Sequence, residues 1–162
     1  MNDTKEVIKT TREEIAKQNL KEYEGLGRII EVQDMYFDAS VYAEDTVITL
    51  KKAKSFAGQD VDEQFKPETS LDGDLIQIVF NCDDAVMAHK VDYENEEEVD
   101  ALSAVKGEDE YLVPEGTHFV ITASSNEDDI AETGYFEVDI DQISEEEYQQ
   151  EMADGAREIY DI

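Results

Sequence analysis

The sequence contains little that could form a covalent or metal crosslink. Its 162 residues include one cysteine, two histidines and no tryptophan. The single cysteine, Cys82, excludes a disulfide within the chain and fits a reducing compartment. His89 and His118 lie far apart, with no cysteine or third histidine beside them, so we expect no metal site. Cys82 follows an apolar run, and we predict that it is buried as a small hydrophobic residue.

Long apolar runs are also missing. No stretch of 18 apolar residues occurs, so we expect no transmembrane helix. The first residues lack the apolar region of a signal peptide, and we therefore expect a cytoplasmic location. Apolar residues still make up 40% of the chain, which is enough for a hydrophobic core, and the length fits one domain over residues 1–162.

Basic residues are scarce beside acidic ones. The chain has 13 Lys and Arg against 43 Asp and Glu, for a net charge of -30. Residues 67–162 hold most of the imbalance, with 29 acidic and 3 basic side chains. We do not expect such a chain to bind nucleic acid or an anionic membrane directly. A basic protein is its natural complement, and the uneven charge predicts an interaction surface.

Hydrophobic periodicity predicts an α+β fold. Residues 35–42 alternate between apolar and polar as a strand does, and residues 75–80 are apolar on both faces, as in a central strand. Ser144 and Glu147 have the spacing of a capping box. We predict a single antiparallel-rich sheet or partial barrel on which an N-terminal, a middle and a C-terminal helix pack. The predicted parts are an N-terminal helix in 1–27, a β-meander in 28–56, an acidic sheet region in 75–140 with a helix over 95–106, and a C-terminal helix over 144–160.

One segment carries a recognisable motif. Residues 108–121 read Glu-Asp-Glu-Tyr-Leu-Val-Pro-Glu-Gly-Thr-His-Phe-Val-Ile. An E-x-E pair followed by a strand of the form L-x-P-x-G-T-x-F resembles the C-terminal signature of ADP-ribosyltransferases of the Arg–Ser–Glu type. That family uses NAD, so the resemblance implies NAD as cofactor and an enzymatic activity.

The resemblance also implies roles for four residues. Glu110 matches the catalytic glutamate that holds the nicotinamide ribose, and Glu108 matches the glutamate on the substrate side. Glu68-Thr69-Ser70 resembles the family's S-T-S motif, with Ser70 as its serine. Arg28 lies where the family's NAD-binding arginine is expected.

The acidic clusters favour a different function. Outward residues two apart on a strand are spaced by roughly 6.6–6.8 Å, which is comparable to neighbouring phosphates along a nucleic-acid strand. Carboxylates at this spacing could occupy a groove lined with Lys and Arg. The residues predicted to bind such a partner are Glu96, Glu97, Glu98, Glu127, Asp128, Asp129, Glu137, Asp139, Glu145, Glu146 and Glu147.

Three hypotheses follow from these observations. We favour an acidic nucleic-acid mimic of phage or mobile-element type, without enzymatic activity or cofactor, that blocks the basic groove of a nucleic-acid-binding host protein. The second is an ADP-ribosyltransferase that uses NAD. The third is a viral structural or assembly protein whose acidic surface is an adaptation to salt, since acidic surfaces keep proteins soluble in brine.

Overall fold

The computed structural model describes residues 12–58, 75–104 and 109–162. Helical segments in these ranges are α1 (residues 12–16), α2 (Glu96–Leu102), α3 (Ile130–Thr133) and α4 (Glu145–Ala153), with short 3-10 turns at Asp34–Tyr36, Ala39–Tyr42 and Glu127–Asp129. The strands are β1 (Lys21–Tyr23), β2 (Leu26–Gln33), β3 (Val47–Thr49), β4 (Lys54–Gly58), β5 (Leu75–Cys82), β6 (Val86–Lys90), β7 (Glu110–Val113), β8 (His118–Ser124), β9 (Tyr135–Ile143) and β10 (Glu158–Tyr160).

The described strands form one open sheet of ten in the order β1-β6-β7-β4-β2-β5-β9-β8-β3-β10. Two neighbouring pairs, β5 with β9 and β3 with β10, run parallel, and the other pairs are antiparallel. The predicted α+β class with an antiparallel-rich sheet is therefore confirmed.

The sheet curls over a core of aromatic and branched side chains. Phe56 on β4 and Phe119 on β8 stack with their ring centroids 5.9 Å apart, although three strands separate β4 from β8 in the sheet order. Phe80 and Phe136 are also fully buried in this cluster. Because the two halves of the sheet face each other across these rings, the strands form a partial barrel.

A second, smaller cluster covers the opposite face near β7. Leu112 of β7 packs with Ile15 and Ala16 of α1 and with Leu102 of α2. Glu13 of α1 also accepts the Ala53 N–H with both carboxylate oxygens, at 3.2 and 3.1 Å. These contacts fix α1 and α2 over the edge of β4 and β7, where the candidate site lies.

The predicted β-meander over 28–56 is wrong. Strand β2 pairs with β4 and β5, whereas β3 pairs with β8 and β10, so consecutive strands are not neighbours. Residues 35–42 form 3-10 turns instead of a strand. The Asp38 carboxylate accepts the Ser40 N–H at 3.0 Å, which favours a turn over a strand ladder, and Phe37 packs on Phe136.

The predicted C-terminal helix over 144–160 is correct only to Ala153. Its capping box is present, since Ser144 and Glu147 exchange hydrogen bonds of 3.1 Å in both directions. Gly155 has a φ of +89°, a left-handed conformation that ends a helix. The chain then extends as β10 beside β3.

The predicted middle helix over 95–106 is shorter in the structure. Asn95 caps it as expected, with its side chain accepting the Glu98 N–H at 3.2 Å. Ser103 adopts a left-handed conformation with a φ of 53°, which ends the helix at Leu102.

The predicted N-terminal helix lies only partly within the described residues. Residues 12–16 are helical, but residues 21–23 form β1 and residues 26–33 form β2. Gly25, with a φ of +70°, makes the turn between these two strands. In the described parts of the chain, no helix is long and apolar enough to cross a lipid bilayer.

Candidate active site

Arg28 lies where two strands separate. Strand β2 pairs with β4 only at Leu26 and Gly27, so the strands are no longer paired at Arg28. The Arg28 Nε donates to the main-chain oxygen of Ile162 at 2.6 Å, and Nη1 donates to the main-chain oxygen of Ser55 at 3.0 Å. Burial, and then the charge of Arg12, lower the pKa of the Arg28 guanidinium. The side chain still carries its charge near neutral pH.

Glu110 begins β7 on the other side of β4. Its Oε1 accepts a hydrogen bond from the Ser55 hydroxyl at 2.6 Å. Its main-chain N–H donates to the Tyr93 hydroxyl at 3.2 Å, and its main-chain oxygen accepts the Val91 N–H at 3.0 Å. The carboxylate is therefore oriented by β4, while the backbone is fixed from the segment after β6.

Ser55 connects the charged groups of the site. Its hydroxyl donates to Glu110 and accepts from Arg12 Nη2 at 3.2 Å, while its main-chain oxygen binds Arg28. The pairing of β4 with β7 places Ser55 opposite Leu112 and Ala57 opposite Glu110, so Ser55 and Glu110 project from the same face. One serine thus joins two arginines and a glutamate.

Few basic side chains occur in this protein, and two of them lie at this site. The chain contains three arginines, Arg12, Arg28 and Arg157, and two of them contact Ser55. In a protein with a net charge of -30, these two guanidinium groups are a local exception to the acidic charge. Phosphate is the anion that suits planar, multidentate donors of this kind.

The structure brings together two of the four residues that the motif resemblance predicted. Arg28 and Glu110 share Ser55 as a partner. Glu108 and Ser70 lie outside the described residues. The serine that contacts Glu110 is Ser55, which the sequence analysis did not identify. Its signal in the sequence is weak, because Ser55-Phe56-Ala57 retains only the first residue of an S-T-S pattern.

A cleft of 570 Å³ lies on the β6 side, and its lining includes Val91 and Tyr93, which both contact the main chain of Glu110. A buried pair also lines it: His89 Nε2 is 3.0 Å from Glu98 Oε1, and His89 Nδ1 is 2.8 Å from the main-chain oxygen of Gln18. The other oxygen of Glu98 accepts the Asp92 N–H at 2.6 Å. Both carboxylate oxygens of Glu98 therefore have hydrogen-bond partners within the protein.

The predicted partner-binding acids are spread over four elements. Glu98 is 8% exposed, so its assignment to a binding surface is wrong. Asp129 lies in the same 3-10 turn as Glu127 and Asp128. The remaining residues are exposed on α2, this turn, β9 and α4, namely Glu96, Glu97, Glu127, Asp128, Glu137, Asp139, Glu145, Glu146 and Glu147. Burial and the neighbouring charge of Asp139 raise the pKa of Glu137.

No protein-family model matches the chain, and no curated protein matches its sequence. Solved structures match its fold. The chain is similar to the Vis toxin, an ADP-ribosyltransferase from Vibrio splendidus, with a TM-score of 0.51 and 14% identity over 86% of this chain and 55% of that one. It is also similar to Vis in complex with agmatine, with a TM-score of 0.53 and 17% identity over 88% of this chain and 59% of that one. The chain thus spans little more than half of the Vis chains.

These similarities correct the function that the charge predicted. The prediction of an acidic nucleic-acid mimic is wrong, since the fold neighbours are ADP-ribosyltransferases. The E-x-E resemblance at Glu108 and Glu110 had indicated the same group of enzymes from a short segment. The resemblance of this chain to ADP-ribosyltransferases is therefore one of fold as well as of motif.

Proposed function

We propose that this protein is an NAD-dependent ADP-ribosyltransferase whose active site contains Arg28, Ser55 and Glu110. The observation that carries the proposal is the 2.6 Å hydrogen bond from the Ser55 hydroxyl to Glu110, made by a serine whose main-chain oxygen also binds Arg28. An arginine, a serine and a glutamate from three strands meet here in a fold similar to that of known ADP-ribosyltransferases.

The residues present suit NAD. When bound, NAD supplies the ADP-ribosyl group, with nicotinamide as the leaving group. Arg28 and Arg12 would hold its phosphates through guanidinium N–H groups. Glu110 would hold a ribose hydroxyl of bound NAD, and its negative charge would stabilise positive charge on the sugar. Ser55 holds the Glu110 carboxylate in one orientation, so little reorganisation is needed when that charge appears.

The acidic surface supports a basic acceptor for the ADP-ribosyl group. Residues 67–162 carry 29 acidic and 3 basic side chains, which attract a positively charged protein and speed its association at low salt. Vis was solved in complex with agmatine, a small guanidinium compound. We therefore propose a guanidinium group on a basic protein as the acceptor, with Glu108 on the acceptor side. A single, buried cysteine suits a reducing compartment, and we propose that the enzyme acts in the cytoplasm.

NAD hydrolysis without any partner protein tests the proposal. The Glu110→Gln variant keeps the size of the side chain and loses its charge, so we expect kcat to fall at least about 100-fold. Glu146→Gln makes the same chemical change on the exposed surface of α4 and should keep the wild-type rate. Equal rates for the wild-type protein and Glu110→Gln, or no NAD consumption by the wild-type protein, would contradict the proposal.

A further inference from the structure

The last five residues of the chain lead directly to the candidate active site. Strand β10 runs beside β3, and the chain continues through Asp161 to Ile162, whose main-chain oxygen lies 2.6 Å from Arg28 Nε. We call residues 158–162 the C-terminal segment. We propose that Ile162 is a positioning residue of the active site, which orients Arg28 through this main-chain oxygen. The inference rests on the proposed role of Arg28 in binding NAD.

Ile162 is held firmly enough to act as an anchor. It is 4% exposed, and its side chain belongs to the main hydrophobic cluster. Because that side chain is fixed in the core, its main-chain oxygen has a defined position. The bond that it accepts comes from a charged donor, and such bonds are short and strong compared with neutral ones.

Asp161 turns the chain toward the core. It adopts a left-handed conformation, with a φ of 51°. Its N–H donates to the main-chain oxygen of Thr49 at 3.1 Å, and its carboxylate accepts the Lys51 N–H at 2.9 Å. These two bonds fix the turn to the end of β3, so the direction in which Ile162 enters the core is also fixed.

Glu158 anchors the start of the segment. Its carboxylate accepts hydrogen bonds from the hydroxyls of Thr49 and Tyr148, each at 2.6 Å, and of Tyr160 at 2.8 Å. Burial alone raises the pKa of Glu158, but these three bonds and the nearby His118 outweigh it and lower the pKa. The segment is therefore attached to β3 and α4 at its start as well as to the core at its end.

The contact orients Arg28 and leaves donors for a ligand. A guanidinium group has five N–H groups, and Arg28 uses two of them for the main-chain oxygens of Ile162 and Ser55. Within the described part of the chain, the other three have no protein acceptor. Two fixed oxygens on different elements determine the plane of the guanidinium, and the side chain is only partly buried.

Enzyme kinetics on the whole protein test this role. A chain that ends at Asp161 loses the oxygen that Arg28 binds, and we expect the KM for NAD to rise about tenfold with kcat little changed. Ile162→Val keeps the oxygen and most of the buried side chain, and should keep the wild-type KM. In an Arg28→Lys background, removing Ile162 should cause no further increase, because residues that act through each other are not additive. An unchanged or lower KM for the shortened chain, or additive effects in the double variant, would overturn the proposal.

A second measurement separates this inference from the proposed function. With three arginines in the chain, each Nε–H can be resolved by NMR, and Arg28→Lys identifies the Arg28 signal. We expect that N–H to exchange with solvent at least about tenfold more slowly in the wild-type protein than in the chain ending at Asp161. If it does and the wild-type protein consumes no NAD, the proposed function fails while the positioning of Arg28 stands. If deletion of Ile162 leaves the exchange rate unchanged, the positioning role is overturned whatever the activity.

Discussion

The hydroxyl of Ser55 provides the sharpest prediction about the site. In Ser55→Ala, Glu110 loses the 2.6 Å hydrogen bond that orients its carboxylate, and Arg12 Nη2 loses its acceptor at 3.2 Å. The main-chain oxygen that binds Arg28 remains, so Arg28 stays in place. The substitution therefore isolates the effect of the hydroxyl on Glu110 and Arg12 from any effect on Arg28.

The size of the effect follows from the kind of bond that is lost. A hydrogen bond to a charged group contributes about 1.5–3 kcal/mol. If that energy is expressed in the transition state, kcat/KM for NAD hydrolysis falls about 10- to 150-fold. Because the Glu110 carboxylate itself is retained, the loss should be smaller than that caused by Glu110→Gln.

The assay compares NAD hydrolysis by Ser55→Ala, Ser55→Thr and Ser70→Ala. Ser55→Thr keeps a hydroxyl on a strand position that accepts β-branched residues, so we expect it to retain most of the activity. Ser70 is the serine that the motif resemblance predicted, and we expect its replacement to change kcat/KM by less than about twofold. Activity lost in Ser70→Ala and kept in Ser55→Ala would refute the assignment of Ser55.

Three further predictions concern stability and reactivity. Glu158 has a lowered pKa in the folded state, so its hydrogen bonds stabilise the fold above its unfolded pKa and are lost as pH falls through the folded value; in urea unfolding, Glu158→Gln should be less stable than the wild-type protein at pH 7, and a gap that does not narrow toward pH 3 would contradict this. Burial raises the pKa of Cys82 to about 12, so its thiol should resist an alkylating reagent at pH 8 until urea unfolds the protein, and stoichiometric labelling of the native protein within minutes would show otherwise. Gly155→Ala places a side chain at a φ of +89° and should cost about 1–2 kcal/mol in urea unfolding, whereas a neutral result would mean that the turn after α4 relaxes freely.

The parts of the fold that the sequence predicted well are those with one dominant signal. The apolar run at 75–80 forms the central strand β5. Ser144 caps α4 as its spacing indicated. In each case the local pattern and the tertiary structure favour the same conformation, so no long-range contact was needed to identify the element.

The predictions from the sequence were wrong where tertiary contacts decide between two possible local structures. The apolar residues after Ala153 fit the stripe of a longer helix, but Gly155 ends that helix and the edge of β3 accepts β10. Strand β6 was not predicted, although Val86, Ala88 and His89 are buried in it. A short strand that pairs on both sides has no strong periodicity of its own.

The motif resemblance predicted two residues of the candidate site, Arg28 and Glu110, but neither Arg12 nor Ser55. Glu110 has a motif around it, and Arg28 lies near the start of an apolar strand. Ser55 is 55 residues away from Glu110 in sequence, and only the register of β4 with β7 brings the two together. A hydrogen bond between residues so far apart cannot be predicted from their spacing in a single sequence. The resemblance to the S-T-S motif therefore indicated Ser70 as the serine of the site.

The large net charge led to the wrong predicted function because a total charge does not show where the few basic residues lie. A chain of net charge -30 opposes the approach of an anion such as NAD, but salt screens that effect over about 8 Å at physiological ionic strength. Contact interactions in a half-buried site are screened far less. An acidic enzyme can therefore bind an anionic substrate if its few cations are fixed at the point of contact. Two of the three arginines contact Ser55, and Arg28 donates to two main-chain oxygens, so the proposed NAD site contains fixed cations despite the net charge.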